Sequence, residues 1–274
     1  MESPRTMQSA PSNPTPTPTR ALIPHEHGAY GQLVMPLLTA LAIGQPRLAS
    51  AALTLAIVLA FVAHEALLVV LGQRGRRALE ADGPRARRLL GALGGLAAIS
   101  GTVGVLLAPL PARLALLLPA VLALVVAWLI VRRLEKTIVG EVIVGAALSA
   151  SALAVALAGG APLAWAIACW FTWALAFAAA TLAVQVVLVR ARSKGKRDPG
   201  VTYAAIATAL LAGAFAAIPL AGLPRAAPVA LFPTALLSII VCLARFSPKR
   251  LRELGWAIVG SSVLTMALLV ALLR

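Results

Sequence analysis

The sequence predicts an all-α, polytopic transmembrane bundle of about nine spans, and three observations predict it. Hydrophobic residues make up 61% of the 274-residue chain and charged residues 12%, roughly half the charged share of a soluble globular domain. Apolar runs of membrane-spanning length recur from residue 26 to the end. Twenty of the twenty-four Lys and Arg residues fall on alternate connections between those runs.

The elements follow in order. Residues 1–21 contain PSNPTPTPTR, where repeated proline prevents helix and no apolar surface offsets the cost of ordering. This stretch is expected to be a disordered Pro/Thr-rich cytoplasmic tail, and residues 22–274 one transmembrane helical domain. The first apolar run ends in Ala40-Leu41-Ala42, which resembles a signal-peptide cleavage site. Its flank is His25-Glu26-His27 rather than a basic segment, and further spans follow, so a retained first helix is the expectation.

A spanning helix needs about 20 mostly apolar residues. That rule places spans near 26–44, 49–72, 88–108, 112–131, 138–158, 162–189, 201–221, 227–244 and 254–273. Residues 142–189 carry no charge and exceed one bilayer crossing, so Gly159-Gly160-Ala161-Pro162 must supply a break. The span after the break is long enough to tilt or kink. Glycines 91, 94, 95, 101 and 104 read as close helix packing on the third span.

Orientation follows from the charges. Arg5 and Arg20, the arginines from Arg74 to Arg88, Arg132, Arg133 and Lys136, the basic residues from Arg190 to Arg197, and those from Arg245 to Arg252 lie on one side; Arg47, Arg113, Arg225 and Arg274 lie on the other. The positive-inside rule puts the N-terminus in the cytoplasm and, after nine spans, the C-terminus outside. The expected location is the cytoplasmic (inner) membrane.

Several function classes fall away. The net charge of +15 sits at the ends of apolar segments rather than on a basic face of a soluble fold, so nucleic acid is not an expected partner. Cys169 and Cys242 lie in apolar runs and read as packed thiols. No HExxH or paired ExxH spacing, P-loop, dinucleotide fingerprint or nucleophile elbow occurs, and no metal site is expected.

Rare polar residues in and beside the spans mark the candidate site. Charged groups in a span are costly and tend to face a bundle interior or wet cavity. Glu26 and His27 enter the first span, His64 and Glu65 lie within the second, and Glu141 starts the fifth, all near the cytoplasmic face. Glu65 is too deep to snorkel easily, so an Arg or His⁺ from a neighbouring helix is its expected partner. Glu135, among Arg132, Arg133 and Lys136, reads as part of a surface ion-pair network.

Two resemblances add to this reading. The segment IPHEHGAYGQLVMPLLTALAIG, residues 23–44, resembles the opening of the YwiC-like membrane proteins, whose first helix reads P-x-E-H-G-A-W with a later proline. Glu26, His27, Gly28, Ala29 and Pro36 match, and Tyr30 replaces the usual Trp. This resemblance implies a bundle of this length and no particular activity.

A more distant likeness is to the UbiA-type intramembrane prenyltransferases. They share nine helices, a cytoplasmic N-terminus and a cytoplasmic-side active site. Residues 132–149, RRLEKTIVGEVIVGAALS, are similar to the stretch around that family's fourth loop, through Arg132, Arg133, Lys136, Thr137, Glu141 and Gly145. That family carries two aspartate-rich motifs because Mg²⁺ bound to a diphosphate needs several carboxylate oxygens. Here the corresponding stretches, HEALLVVLGQRGRR and QVVLVRARSKGKRD, hold only Glu65 and Asp198.

Two functions stay open. One is a prenyltransferase-related enzyme or isoprenoid- or lipid-binding derivative, with His27, His64, Glu65 and Glu141 as catalytic candidates. Glu26, Arg132, Arg133 and Lys136 would hold the substrate, an isoprenoid or anionic lipid. The other is a proton-coupled small-molecule transporter or accessory protein, with histidines and glutamates as relays. No internal repeat is visible, and the candidates crowd one face rather than the midplane, which favours the first. Which cofactor, if any, is needed stays open.

Overall fold

The computed structural model describes residues 27–193, 198–244 and 246–274; the expected tail, residues 1–21, lies outside them. Among the described residues every regular element is helical. They are α1 (His27–Ile43), α2 (Leu48–Val70), α3 (Arg76–Leu107), α4 (Leu110–Ala115), α5 (Leu117–Val131), α6 (Ile138–Ala158), α7 (Leu163–Arg192), α8 (Gly200–Ala221), α9 (Ala226–Leu243) and α10 (Leu251–Leu273). A 3-10 turn at Pro248–Arg250 leads into α10.

The short α4 and α5 run together as one apolar segment, Leu110–Val131, so eight segments are long and apolar enough to cross a bilayer. The ninth, α1, has 17 residues and is shorter than the others. The break at Gly159-Gly160 is as expected: α6 ends at Ala158, Gly160 has φ +83°, and Pro162 precedes the first residue of α7.

One boundary differs widely. α3 begins at Arg76 rather than near residue 88 and runs 32 residues through Pro84. At 1.5 Å per residue that is about 48 Å, well beyond the ~30 Å hydrocarbon layer. The polar stretch RRALEADGPRARR is helical because only its apolar continuation must lie in lipid. In water the carbonyl freed by Pro84 can find a solvent partner.

The core forms around α7, which packs on α1, α6, α8, α9 and α10. Its apolar window is 72% buried, against 6% for that of α3. Alanine dominates two buried stretches, residues 149–158 of α6 and 176–183 of α7. In lipid no hydrophobic force draws helices together, so small side chains that allow close backbone contact supply the packing. Polar bonds pin the layers: Trp173 Nε1 donates to Thr39 Oγ1 of α1 at 3.1 Å, and Thr265 Oγ1 of α10 donates to the Ala230 carbonyl of α9 at 2.9 Å.

The remaining helices attach to this centre. α2 and α3 form a hairpin that packs mainly on α6, and α4 and α5 also pack on α6. Gly104 and Gly101 of α3 meet Leu53 and Ala56 of α2, but Gly91, Gly94 and Gly95 face open space. The close-packing expectation therefore holds for two of the five glycines, because only the far half of α3 presses on α2 through this face.

Contacts between helix ends follow an up-and-down path. Gln45 N donates to the Gly159 carbonyl at 2.8 Å, joining the α1–α2 and α6–α7 turns at one end. At the other, Arg190 in the last turn of α7 donates to the carbonyls of Cys242 at 2.6 Å and Ala244 at 2.9 Å. The latter is called the basic end below, because the basic connections lie there.

Candidate functional site

The connection between α5 and α6 at the basic end is tightly built. Arg133 has φ +56°, the left-handed region that a side chain enters only at a cost. Thr137 caps α6: its Oγ1 accepts from Gly140 N at 3.1 Å and donates to the Leu134 carbonyl at 2.7 Å. A Cβ on Gly140 would lie 2.2 Å from the Leu134 carbonyl oxygen, so only glycine lets the loop fold down on the helix. Arg132 and Arg133 are exposed, and the Arg132 guanidinium lies 5.7 Å from the centre of the Trp128 ring. Lys136 is exposed on the same loop.

Glu135 departs from the expected surface network. Its Oε2 is buried and makes no hydrogen bond.

Glu141 lies in the first turn of α6, where the helix dipole favours a carboxylate. Gln185 of α7 donates from Nε2 to its Oε2 at 2.8 Å. One turn further along α6, a Cβ on Gly145 would lie 3.2 Å from Phe177 Cβ and 3.6 Å from Gln32 Nε2 of α1. Gln32, Glu141 and Gln185 therefore gather where α1, α6 and α7 meet. The two glutamines were missed from the sequence, although an amide in an uncharged span is itself a signal.

α2 brings the second group. Glu65 is buried, and the Arg74 guanidinium donates to its Oε2 at 2.5 Å. The partner is an arginine, as expected, but it comes from the loop that follows α2 rather than from a neighbouring helix. The reason is reach: Arg74 stands nine residues on, where the chain has turned back over the helix end. His64 is exposed on α2.

The start of α1 lies beside this part of α2, since the Tyr30 and Phe61 rings meet edge to face at 5.1 Å. His27 opens α1 one turn before Tyr30, and His64 follows Phe61 by one turn, so both stand towards the basic end of that contact. Glu26 and the side chain of His27 lie outside the described residues. The helices α1, α2, α6 and α7 thus bring one end of the HEHGAY segment, His64, Glu65 and Glu141 to the same end of the bundle.

The exposure of α6 changes along its length. Residues 149–158 are buried, whereas 141–144 and 146–148 are half-buried. Among the described residues α5 packs chiefly on α6, and α2 also packs on α6. The near half of α6, towards the basic end, is thus less covered than the far half. No group of three or more His, Cys, Asp or Glu placed to hold a metal ion occurs among the described residues.

Comparison with known proteins places the first half of this chain. Residues 23–156 match the family model described as YwiC-like protein, a stretch from before α1 almost to the end of α6. It includes Glu26, His27, His64, Glu65, Arg132, Arg133, Lys136 and Glu141, and leaves out Gln185. No curated protein and no solved structure matches the chain.

Proposed function

We propose that this integral membrane protein, YwiC-like over residues 23–156, binds an amphipathic ligand with an anionic head, an isoprenoid or related lipid, against the half-buried near half of α6. The observation that carries this reading is the change in α6 from half-buried to buried at Ser149. An apolar tail lying along this half-buried surface would cover it, and the exposed Arg132, Arg133 and Lys136 at the basic end suit a phosphate or diphosphate head.

Glu141, held by Gln185, and His64 and Glu65 of α2 at the same end of the bundle would lie nearest the head. Glu26 and His27 of the family-matched segment enter from α1. On the UbiA-type plan that the loop at 132–149 resembles, this is where a prenyl group would react, so the protein is read as a prenyltransferase-related enzyme or a binding derivative of one. The positive-inside rule turns this end to the cytoplasm.

The test is equilibrium binding of geranylgeranyl diphosphate to the protein in nanodiscs. Arg132→Gln with Arg133→Gln should weaken binding by about tenfold or more, as loss of charge-assisted hydrogen bonds does, and Glu141→Gln should weaken it less. Equal binding by wild type and both variants would exclude this site.

A second reading is favoured by the ionisable residues Glu65 and Glu141 within apolar helices. In it the same groups carry protons for a small-molecule transporter. Substrate-driven proton currents that vanish in Glu141→Gln would support it, and no current with any ligand would remove it.

A further inference from the structure

The geometry points to a second binding site, at the end opposite the basic connections, that takes the phosphate head of an anionic phospholipid on Arg47. All nine Asp and Glu residues lie in the first 26 residues, on the basic connections, or in the spans near that end. The opposite end holds Arg47, Arg113, Arg225 and Arg274, and among the described residues none of these arginines pairs with an Asp or Glu, unlike Arg74, Arg76, Arg190 and Arg250.

Arg113 is satisfied locally. Its Nε and a terminal nitrogen donate to the carbonyls of Ala108 and Leu106, each at 2.8 Å, closing the end of α3. Arg47 is held differently. It is exposed at the N-terminus of α2, and its guanidinium lies against the α6–α7 turn. A Cβ on Gly160 would stand 2.9 Å from the guanidinium carbon, and Gly160 has φ +83°. A Cβ on Gly159 would stand 2.9 Å from the Gln45 carbonyl oxygen, and Gln45 N bonds the Gly159 carbonyl. Gly160 thus leaves room for this one side chain, while Gly159 lets the α1–α2 turn press on the α6–α7 turn that carries it.

Beside it lies a groove of about 440 Å³, which Arg47 shares with Leu48, Leu107, Pro109 and Ala158. Apart from the guanidinium and backbone, those walls are apolar. A guanidinium with no carboxylate near it recruits a phosphate through charge-assisted bonds, and Arg47 stands at the N-terminus of α2, where the helix dipole favours an anion. A soluble anion would leave the apolar walls uncovered. A phospholipid covers them with its glycerol and upper acyl chain, so the occupant is a lipid of the adjoining leaflet, of the phosphatidylglycerol type.

Native mass spectrometry of the full chain tests this, with phosphatidylglycerol and phosphatidylcholine added separately. Wild type should retain phosphatidylglycerol about tenfold more strongly than phosphatidylcholine, Arg47→Gln should lose that preference, and Arg47→Lys should keep part of it. Equal retention of both lipids by wild type, or undiminished preference in Arg47→Gln, would overturn the site. Displacement of the lipid by millimolar inorganic phosphate would also overturn it, since the groove would then read the anion alone. If Arg47→Gln does not fold, the comparison of lipids on wild type decides. The Arg132→Gln, Arg133→Gln double variant should keep the preference, which separates this site from the one at the basic end.

Discussion

At the residue scale, single groups are held by contacts that only one residue type can make. Gly140 shows this most directly, because the loop from Arg132 to Thr137 rests where its Cβ would be. Gly140→Ala should lower stability by about 1–3 kcal/mol, the usual cost of forcing volume into packed structure. Thermal unfolding in detergent, followed by tryptophan fluorescence, checks this; an unchanged midpoint would mean that the loop simply shifts. The bond from Trp173 to Thr39 joins α7 to α1 in the middle of the core. Trp173→Phe should cost about 0.5–2 kcal/mol from that bond, with a coupling to Thr39→Val visible in a double-mutant cycle. Glu65 and Glu141 were legible in the sequence as carboxylates in apolar surroundings. Their partners were not, because Gln185 lies 44 residues from Glu141 and Arg74 reaches back over a helix end, and neither approach has a sequence period.

At the scale of elements, side-chain bonds at the helix ends lock together spans that pack through small residues. Arg190 is the clearest case: it pairs with Asp198 at 2.7 Å while donating to the last carbonyls of α9. A Cβ on Gly200 would lie 2.3 Å from both that guanidinium and the Cys242 carbonyl oxygen, so α8 starts directly against the junction. Arg190→Ala strips the carbonyls of their donor and leaves Asp198 without this partner. It should destabilise by about 2–4 kcal/mol and speed tryptic cleavage in the α7–α8 connection. Cleavage at the wild-type rate would show that the junction does not hold that connection. Helix existence was readable here, since apolar length decides it. The early start of α3 was not, because a charged stretch can be helix or loop in water with little difference in propensity, and its pairing with the end of α2 settles the choice.

At the scale of the whole molecule, the two ends differ in kind. Among the described residues one carries most of the basic side chains and every Asp and Glu, and the other carries Arg47, Arg113, Arg225 and Arg274. The orientation this implies can be read by labelling. Cys169 and Cys242 are both buried, so neither should react with a membrane-impermeant maleimide in intact cells. Gln45→Cys should then label from outside, and Ser247→Cys only after the cells are opened; the reverse pattern would invert the protein in its membrane.

The sequence by itself determined that this chain spans a membrane many times, where the spans lie, and which residues are too polar to be there by chance. Those properties depend on composition and on charge along the chain, which the bilayer reads segment by segment. Only the tertiary structure decided that α7 is the centre, that the near half of α6 is less covered than the far half, that Glu135 has a buried oxygen, and that Gly160 lies against Arg47. Each of these depends on which apolar faces meet, and in lipid, where every face is equally apolar, hydrophobic pattern carries almost no information about that choice.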